Sequence, residues 1–190
     1  MTPKDPGMTG ALADAIELLT SDHREVEQLF HQYQAATHDE GVARHAAEEI
    51  IKELSIHAAV EEQILYPTLR RVDPGSGGLV DHSLEEHQQV KELLAEVDGK
   101  PANDPHVRAT FDKLKSAVEE HVSEEEGKIF PTLRRHVDEA KLADMGQKMA
   151  KAKAMAPTHP HPNAPNTPPG NIVAGPIAAL ADKVRDFLRE

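Results

Sequence analysis

At 190 residues the chain is long enough for one domain of ordinary size with extensions, and its formal net charge of −12 leaves nothing to neutralise a run of nucleic-acid phosphates. It contains no Cys, which excludes disulfides, thiolate catalysis, iron–sulfur clusters and cysteine-held zinc. With aromatics at 3% and no Trp, the core must be aliphatic, which suits packed helices better than a β-sandwich.

The N-terminal stretch from Met1 to Gly10 is polar and lacks the apolar segment of a secretion signal. No apolar run reaches the roughly eighteen residues that would span a bilayer, so a cytoplasmic protein without membrane contact is expected. The first helix is predicted from Ile16, His23, Val26 and Phe30, whose spacings place them on one face. Thr37 to Gly41 breaks the pattern. A second helix follows, with Ile50, Leu54, His57, Glu61, Leu65 and Leu69 along one stripe. The turn-rich run Asp73-Pro-Gly-Ser-Gly-Gly78 ends it. A third helix carries Val80, His87, Val90 and Leu94, and a break from Asp98 to Pro105 leads to a fourth with Leu114, Val118, His121, Glu125, Ile129 and Leu133.

These four segments are two copies of one unit. His57–Arg71 reads HAAVEEQILYPTLRR and His121–Arg135 reads HVSEEEGKIFPTLRR, aligned without a gap 64 positions apart. The same offset maps Asp22-His23 onto Glu86-His87, Val26 onto Val90 and Leu29 onto Leu93. Residues of about 16–71 therefore repeat as about 80–135. Short connections favour antiparallel neighbours, so the expected fold is all-α, an up-down-up-down four-helix bundle. Pro67 and Pro131 interrupt continuing helices and should kink them.

Beyond the bundle, which with a trailing helix is expected over 10–155, proline density from 156 to 174 forbids helix and predicts a strap or linker. The last segment, 175–190, carries Ile177, Leu180, Val184, Phe187 and Leu188 and reads as an amphipathic helix. Its polar face mixes charge signs, so it is expected to dock on its own bundle and not on a membrane.

The stripes that should face the core are not purely apolar. All four helices contribute polar residues there: His23, His57 with Glu61, His87, and His121 with Glu125. A His and a Glu four residues apart on a helix point to the same region of space. Burying ionised carboxylates without partners is costly, and a divalent cation removes that cost. Four imidazoles and two carboxylates without sulfur suit iron or manganese, with zinc less fitting. Of the twelve His, His31, His38, His45, His106 and His136 fall outside the stripes and are expected at the surface.

The order His, HxxxE, His, HxxxE, carried by Asp22-His23, His57-Ala-Ala-Val-Glu61, Glu86-His87 and His121-Val-Ser-Glu-Glu125, resembles the hemerythrin-like, or HHE, cation-binding family in its bacterial form. The EEQILYPTLRR and EEGKIFPTLRR segments are similar to those that follow the motif in that family. The resemblance implies two iron ions, each with two His, bridged by Glu61, Glu125 and an oxo or hydroxo group. Oxygen carriers of the family have a fifth His one turn before the third-helix ligand, where this chain has Ser83. His82 lies five residues before His87, roughly 140° around the helix, and is expected at the helix start or surface. Glu62, Glu86 and Glu126 are candidates for extra ligands, although acidic neighbours on a helix usually form a solvated face.

With about ten of roughly twelve coordination positions filled, open positions would remain. The resemblance then implies a protein that reacts with, or senses, O2, peroxide or nitric oxide, and does not store O2. Tyr66 is a candidate proton or electron donor, and its duplicate Phe130 is expected simply to pack. A small-molecule ligand, no nucleic acid, and a monomer or weak dimer complete the expectations.

Overall fold

The structure, a computed structural model, describes residues 13–187. The N-terminal stretch and Leu188 lie outside the described residues. Among the described residues there are helices and no strands.

Helix α1 (Ala15–Ala35) starts at an Asp14 cap that accepts from the backbone N–H of Ile16 and Glu17, while Glu17 reaches back to the N–H of Asp14. This reciprocal box satisfies orphan donors of the first turn. Helix α2 (Glu40–Val60) is capped by Asp39. It continues through a π-helical turn, Glu61–Leu65, into α3 (Tyr66–Val72). Helix α4 (Gly77–Val97) follows. The next loop contains Gly99 at φ 73°, a left-handed conformation natural to glycine. Helix α5 (Pro105–Glu124) runs through a second π turn, Glu125–Ile129, into α6 (Phe130–His136). The four rods α1, α2–α3, α4 and α5–α6 make the four-helix bundle expected from the sequence.

The prolines act differently from the simple kink expected of them. Pro67 and Pro131 each sit at the second position of the helix after a π turn. Lacking an N–H and crowding the preceding turn, proline is accommodated by the wider coil upstream. The N–H of Tyr66 and of Phe130 accordingly reach five residues back, to the carbonyls of Glu61 and Glu125. The distortion thus begins at the two motif glutamates.

Two aliphatic cores fill the bundle. One contains Phe30, Ile50, Leu94, Phe111 and Leu114, closed at its end by Tyr33, whose hydroxyl donates to the Ala102 carbonyl at 2.7 Å. The other contains Leu19, Leu65, Leu69, Ile129 and Leu133. Each fully buried Leu or Ile stabilises the fold by roughly 1.5–3 kcal/mol. Between the cores lies a polar layer. Helix α7 (Glu139–Lys153) packs on α1 and α2, and Met145 and Met149 join the second core.

The C-terminal helix α8 (Gly170–Phe187) begins five residues earlier than the composition suggests and holds Pro176 inside it. It packs through small and polar residues, with Asn171, Ala179 and Asp182 buried. Of the apolar residues expected along it, Ile177 is 69% and Leu180 66% exposed. The physical reason is that α8 meets a proline-rich strap carrying polar backbone and His residues, which a carboxylate clamps better than an aliphatic stripe. The side chains of Val184 and Phe187 lie outside the described residues.

Candidate metal centre

All six nominated ligands converge on the polar layer. Glu61 and Glu125 are fully buried, and His23, His57, His87 and His121 are nearly so. Their inward atoms fall into two groups of metal-binding composition: His23, His57, Glu61 and Glu125, and Glu61, His87 and His121. Glu61 belongs to both, with Oε1 at 3.1 Å from His57 Nε2 and Oε2 at 3.3 Å from His87 Nε2. Oε2 of Glu125 lies 3.3 Å from His23 Nε2 and 3.6 Å from His121 Nε2. His87 and His121 approach Nε2 to Nε2 at 3.1 Å.

Each imidazole turns its Nε2 inward because its Nδ1 is held by a carboxylate on the outside. His23 Nδ1 pairs with Glu126 at 2.9 Å, His57 with Asp22 at 3.4 Å, His87 with Glu62 at 3.0 Å and His121 with Glu86 at 2.9 Å. A carboxylate acceptor fixes the tautomer that carries the proton on Nδ1 and leaves the Nε2 lone pair facing the centre. The duplication extends to these partners, since Asp22 matches Glu86 and Glu62 matches Glu126. Glu62, Glu86 and Glu126 therefore orient imidazoles; their inward-facing neighbours are ring Nδ1 atoms. In both halves a π turn brings the two consecutive glutamates to imidazoles, Glu61 and Glu62 in the first and Glu125 and Glu126 in the second.

A Lys or Arg side chain stands behind three of the four outer carboxylates. Lys153 of α7 meets Asp22 at 2.6 Å, Lys91 meets Glu62 at 2.6 Å and Arg24 meets Glu126 at 2.7 Å. His82, exposed at the surface, lies 3.6 Å from Glu86 and from Glu124, away from the central cluster. Desolvation favours the neutral form of Asp22, Glu86 and Glu126, yet the bonds from His57, His121 and His23, joined by Lys153 at Asp22 and Arg24 at Glu126, hold all three below their ordinary pKa. They stay ionised acceptors.

Within the centre the imidazoles and carboxylates hold one another in their charged forms. Burial pulls the His57 pKa down, but Glu61, Asp22 and Glu125 outweigh it and hold it at about 10. His121 is likewise raised well above its ordinary value, burial being overcome by Glu125, Glu61 and Glu86. Glu61 is held well below the usual carboxylate range because its His neighbours overcome desolvation. Protons on the ligands thus stand where positive charge is needed. Even so, His23 Nε2, His57 Nε2, both Glu61 oxygens and Glu125 Oε2 are buried without a hydrogen-bond partner. Orphaned polar atoms concentrated at one point are rare in native proteins.

Tyr66 is part of this cluster. Its hydroxyl donates to Glu125 Oε1 at 3.0 Å and lies 3.1 Å from His87 Nε2. Burial, reinforced by Glu125 and Glu61, raises its pKa well above 10, so it is a neutral phenol. Phe130, its duplicate, stacks on His23 with centroids 5.7 Å apart. Above the imidazoles is a cavity of about 20 Å³, walled by Val26, Leu54, Val90, Val118 and Val122. The five surface His expected from the sequence are all exposed.

The outer carboxylates and their cations were the functional residues least visible in the sequence. The available signal was their repetition: an acid immediately before the first- and third-helix His, and another immediately after each motif Glu.

The Hemerythrin HHE cation binding domain family model matches residues 14–133. Over 180 residues the chain is 32% identical to an uncharacterized hemerythrin-like protein of Schizosaccharomyces pombe, covering 94% of this chain and 87% of that one. A DNA nickase of Nostoc is 25% identical over 138 residues, which is 73% of this chain and 38% of the nickase. The crystal structure of a hemerythrin HHE cation binding domain-containing protein from Mycobacterium kansasii is similar with a TM-score of 0.64 and 26% identity, covering 75% of this chain and 86% of that chain. No described helix is long and apolar enough to cross a membrane.

Proposed function

The chain belongs to the hemerythrin HHE cation-binding domain family, and from that premise we propose that it is a non-haem di-iron protein that reacts with peroxide, nitric oxide or O2. The observation that carries the reading is the convergence of buried atoms of His23, His57, Glu61 and Glu125 that make no hydrogen bond of good geometry yet face one another at 3.1–3.3 Å, an arrangement that suits a shared cation. His23 and His57 with Glu61 and Glu125 would hold one ion, and His87 and His121 with Glu61 the other. Nitrogen and oxygen donors without sulfur fit iron or manganese.

Iron held there would supply redox electrons and open coordination positions to a small oxidant. The chain's own residues supply the rest. The four outer carboxylates keep Nδ1 protonated and Nε2 available. The valine- and leucine-walled cavity, at about 20 Å³, has room for a molecule the size of water and keeps bulk solvent away. Tyr66, neutral and hydrogen-bonded to Glu125, holds a proton at the edge of the centre and is suited to deliver it.

The test is metal content and peroxide consumption of protein purified without chelator from iron-replete cells. About two irons per chain with repeated consumption of hydrogen peroxide or nitric oxide is the expected result. Folded protein that holds no metal and cannot be loaded would overturn it. A loaded centre without turnover would favour the second reading, a sensor. The feature behind that alternative is the docked C-terminal segment, whose Asn171 bonds the backbone of Glu62, the residue that orients His87.

A further inference from the structure

The duplication relates α1 to α4 and α2 to α5, so the groove between α1 and α5 is the internal counterpart of the groove between α2 and α4. The two are finished differently. On the α2–α4 side, Ser55, Ala59, Glu62 and Lys91 floor a pocket roofed by the strap and α8. On the α1–α5 side their duplicates Glu119, Ser123, Glu126 and Glu27 line an uncovered groove of about 270 Å³. The exposures agree: the Glu62 side chain is 4% accessible and that of Glu126 31%.

The residues of each floor suit what lies above them. Under the roof the chain carries small Ser55, whereas its open-side duplicate is Glu119, a charge that a roof would strip of water. The roof is pinned at several points. Asn171 donates to the Glu62 carbonyl at 3.2 Å, and Gln88 donates to the Pro162 carbonyl at 3.1 Å. Asp182, buried on α8, accepts from the backbone N–H of Thr158 and His159 and faces His161 at 3.0 Å.

Continuity with the centre differs as well. The open groove shares His23, Val118 and Val122 with the small cavity above the imidazoles. The roofed pocket shares no lining residue with that cavity. We infer that the α1–α5 groove is the entrance through which a metal ion, and then the small-molecule reactant, reaches the centre from the His23 side. The strap and α8 are a plug over its duplicate. This inference rests on the metal-centre reading above.

The absence of Cys allows a direct test on the whole 190-residue chain. Ser123→Cys places a single thiol in the open groove, and Glu120→Cys places one at an exposed site on the same helix outside it. Each variant is folded first, stripped of metal, and then labelled with a bulky maleimide, so that blocking does not depend on folding around a large side chain. Uptake of Co²⁺ alone is followed by its visible ligand-field bands. Labelled S123C should load more slowly by about tenfold or more, as expected when entry needs a rearrangement, and reach the same final content. Labelled E120C should load at the unlabelled rate. Adding Asp182→Ala to labelled S123C should restore uptake by loosening the roof. Uptake by labelled S123C at the control rate, with full final content, overturns the entrance while leaving the centre intact. Persistently slow uptake in the double variant removes the plug. Wild-type protein that takes up no Co²⁺ overturns the centre itself, and the entrance with it.

Discussion

Tyr66 donates its phenolic proton to Glu125 Oε1 at 3.0 Å, although the residue that duplicates it in the second half of the chain, Phe130, has no hydroxyl to give. The centre is therefore asymmetric. Both oxygens of Glu61 face imidazoles and neither meets a hydroxyl, while Glu125 has one oxygen held by Tyr66 and one directed at the imidazoles. Removing this single hydroxyl by Tyr66→Phe copies the second half's chemistry into the first. The fold should survive with a loss of about 1 kcal/mol, the net worth of an ordinary hydrogen bond. Metal content should be unchanged. Peroxide consumption should fall by about a hundredfold if the phenol delivers the proton, which rapid-mixing kinetics at matched iron content would reveal.

Glu61 is the carboxylate common to both ligand groups, so its loss should be felt at both positions. Glu61→Ala is expected to drop metal content to one ion per chain or fewer, read by plasma mass spectrometry. Glu62→Ala should behave differently, because Glu62 only orients His87. Loss of such an outer partner typically weakens metal binding by about 10–100-fold without abolishing it. Chelator competition should separate the two variants. Equal losses would show that Glu62 is itself a ligand.

Metal binding should be linked to pH. In the metal-free protein His57 has its pKa raised from 6.5 to about 10, because Glu61, Asp22 and Glu125 outweigh burial. At neutral pH a metal ion must displace that proton, so apparent affinity should rise by about tenfold per pH unit for each proton displaced, levelling off near pH 10. The stability of the metal-free fold should run the other way. A raised folded-state pKa contributes stability that is complete below about 6.5 and disappears as pH climbs through about 10. Calorimetry in buffers of different ionisation enthalpy would count the released protons. Metal affinity independent of pH from 7 to 9 would contradict the assigned protonation.

Gly146 marks where α7 crosses the start of α1. A Cβ at this position would fall 2.3 Å from the Ala13 carbonyl oxygen, a backbone atom that cannot swing aside. Gly146→Ala should therefore destabilise the protein by about 1–3 kcal/mol despite alanine's better helix propensity. Thermal unfolding would show a lowered midpoint. An unchanged midpoint would mean that α7 can shift without cost, and with it Lys153, the cation behind Asp22.

The duplication, four-rod architecture and candidate ligand set could be read from the sequence because each depends on periodicity along a helix. His57 and Glu61 share a face wherever their helix lies, and a 64-residue repeat demands the same placement of His121 and Glu125. The role of Glu62 was not legible. The π turn ahead of Pro67 brings it to His87 Nδ1 and the strap and α8 bury it, whereas Glu126 after an equivalent turn stays 31% accessible. Nor was the burial of Asn171, Ala179 and Asp182 on α8 legible, since which face is covered depends on what the helix meets.

What the sequence determined alone was a matter of local spacing: which residues face inward, and that acidic and imidazole groups would share that interior. The tertiary structure decided the rest. It selected which carboxylate holds which Nδ1, set a cation behind each of Asp22, Glu62 and Glu126, and roofed one groove while leaving its duplicate open. These pairings join residues far apart in the chain, such as Asp22 with Lys153 and Glu62 with Asn171, and no periodicity along one helix encodes the distance between two others.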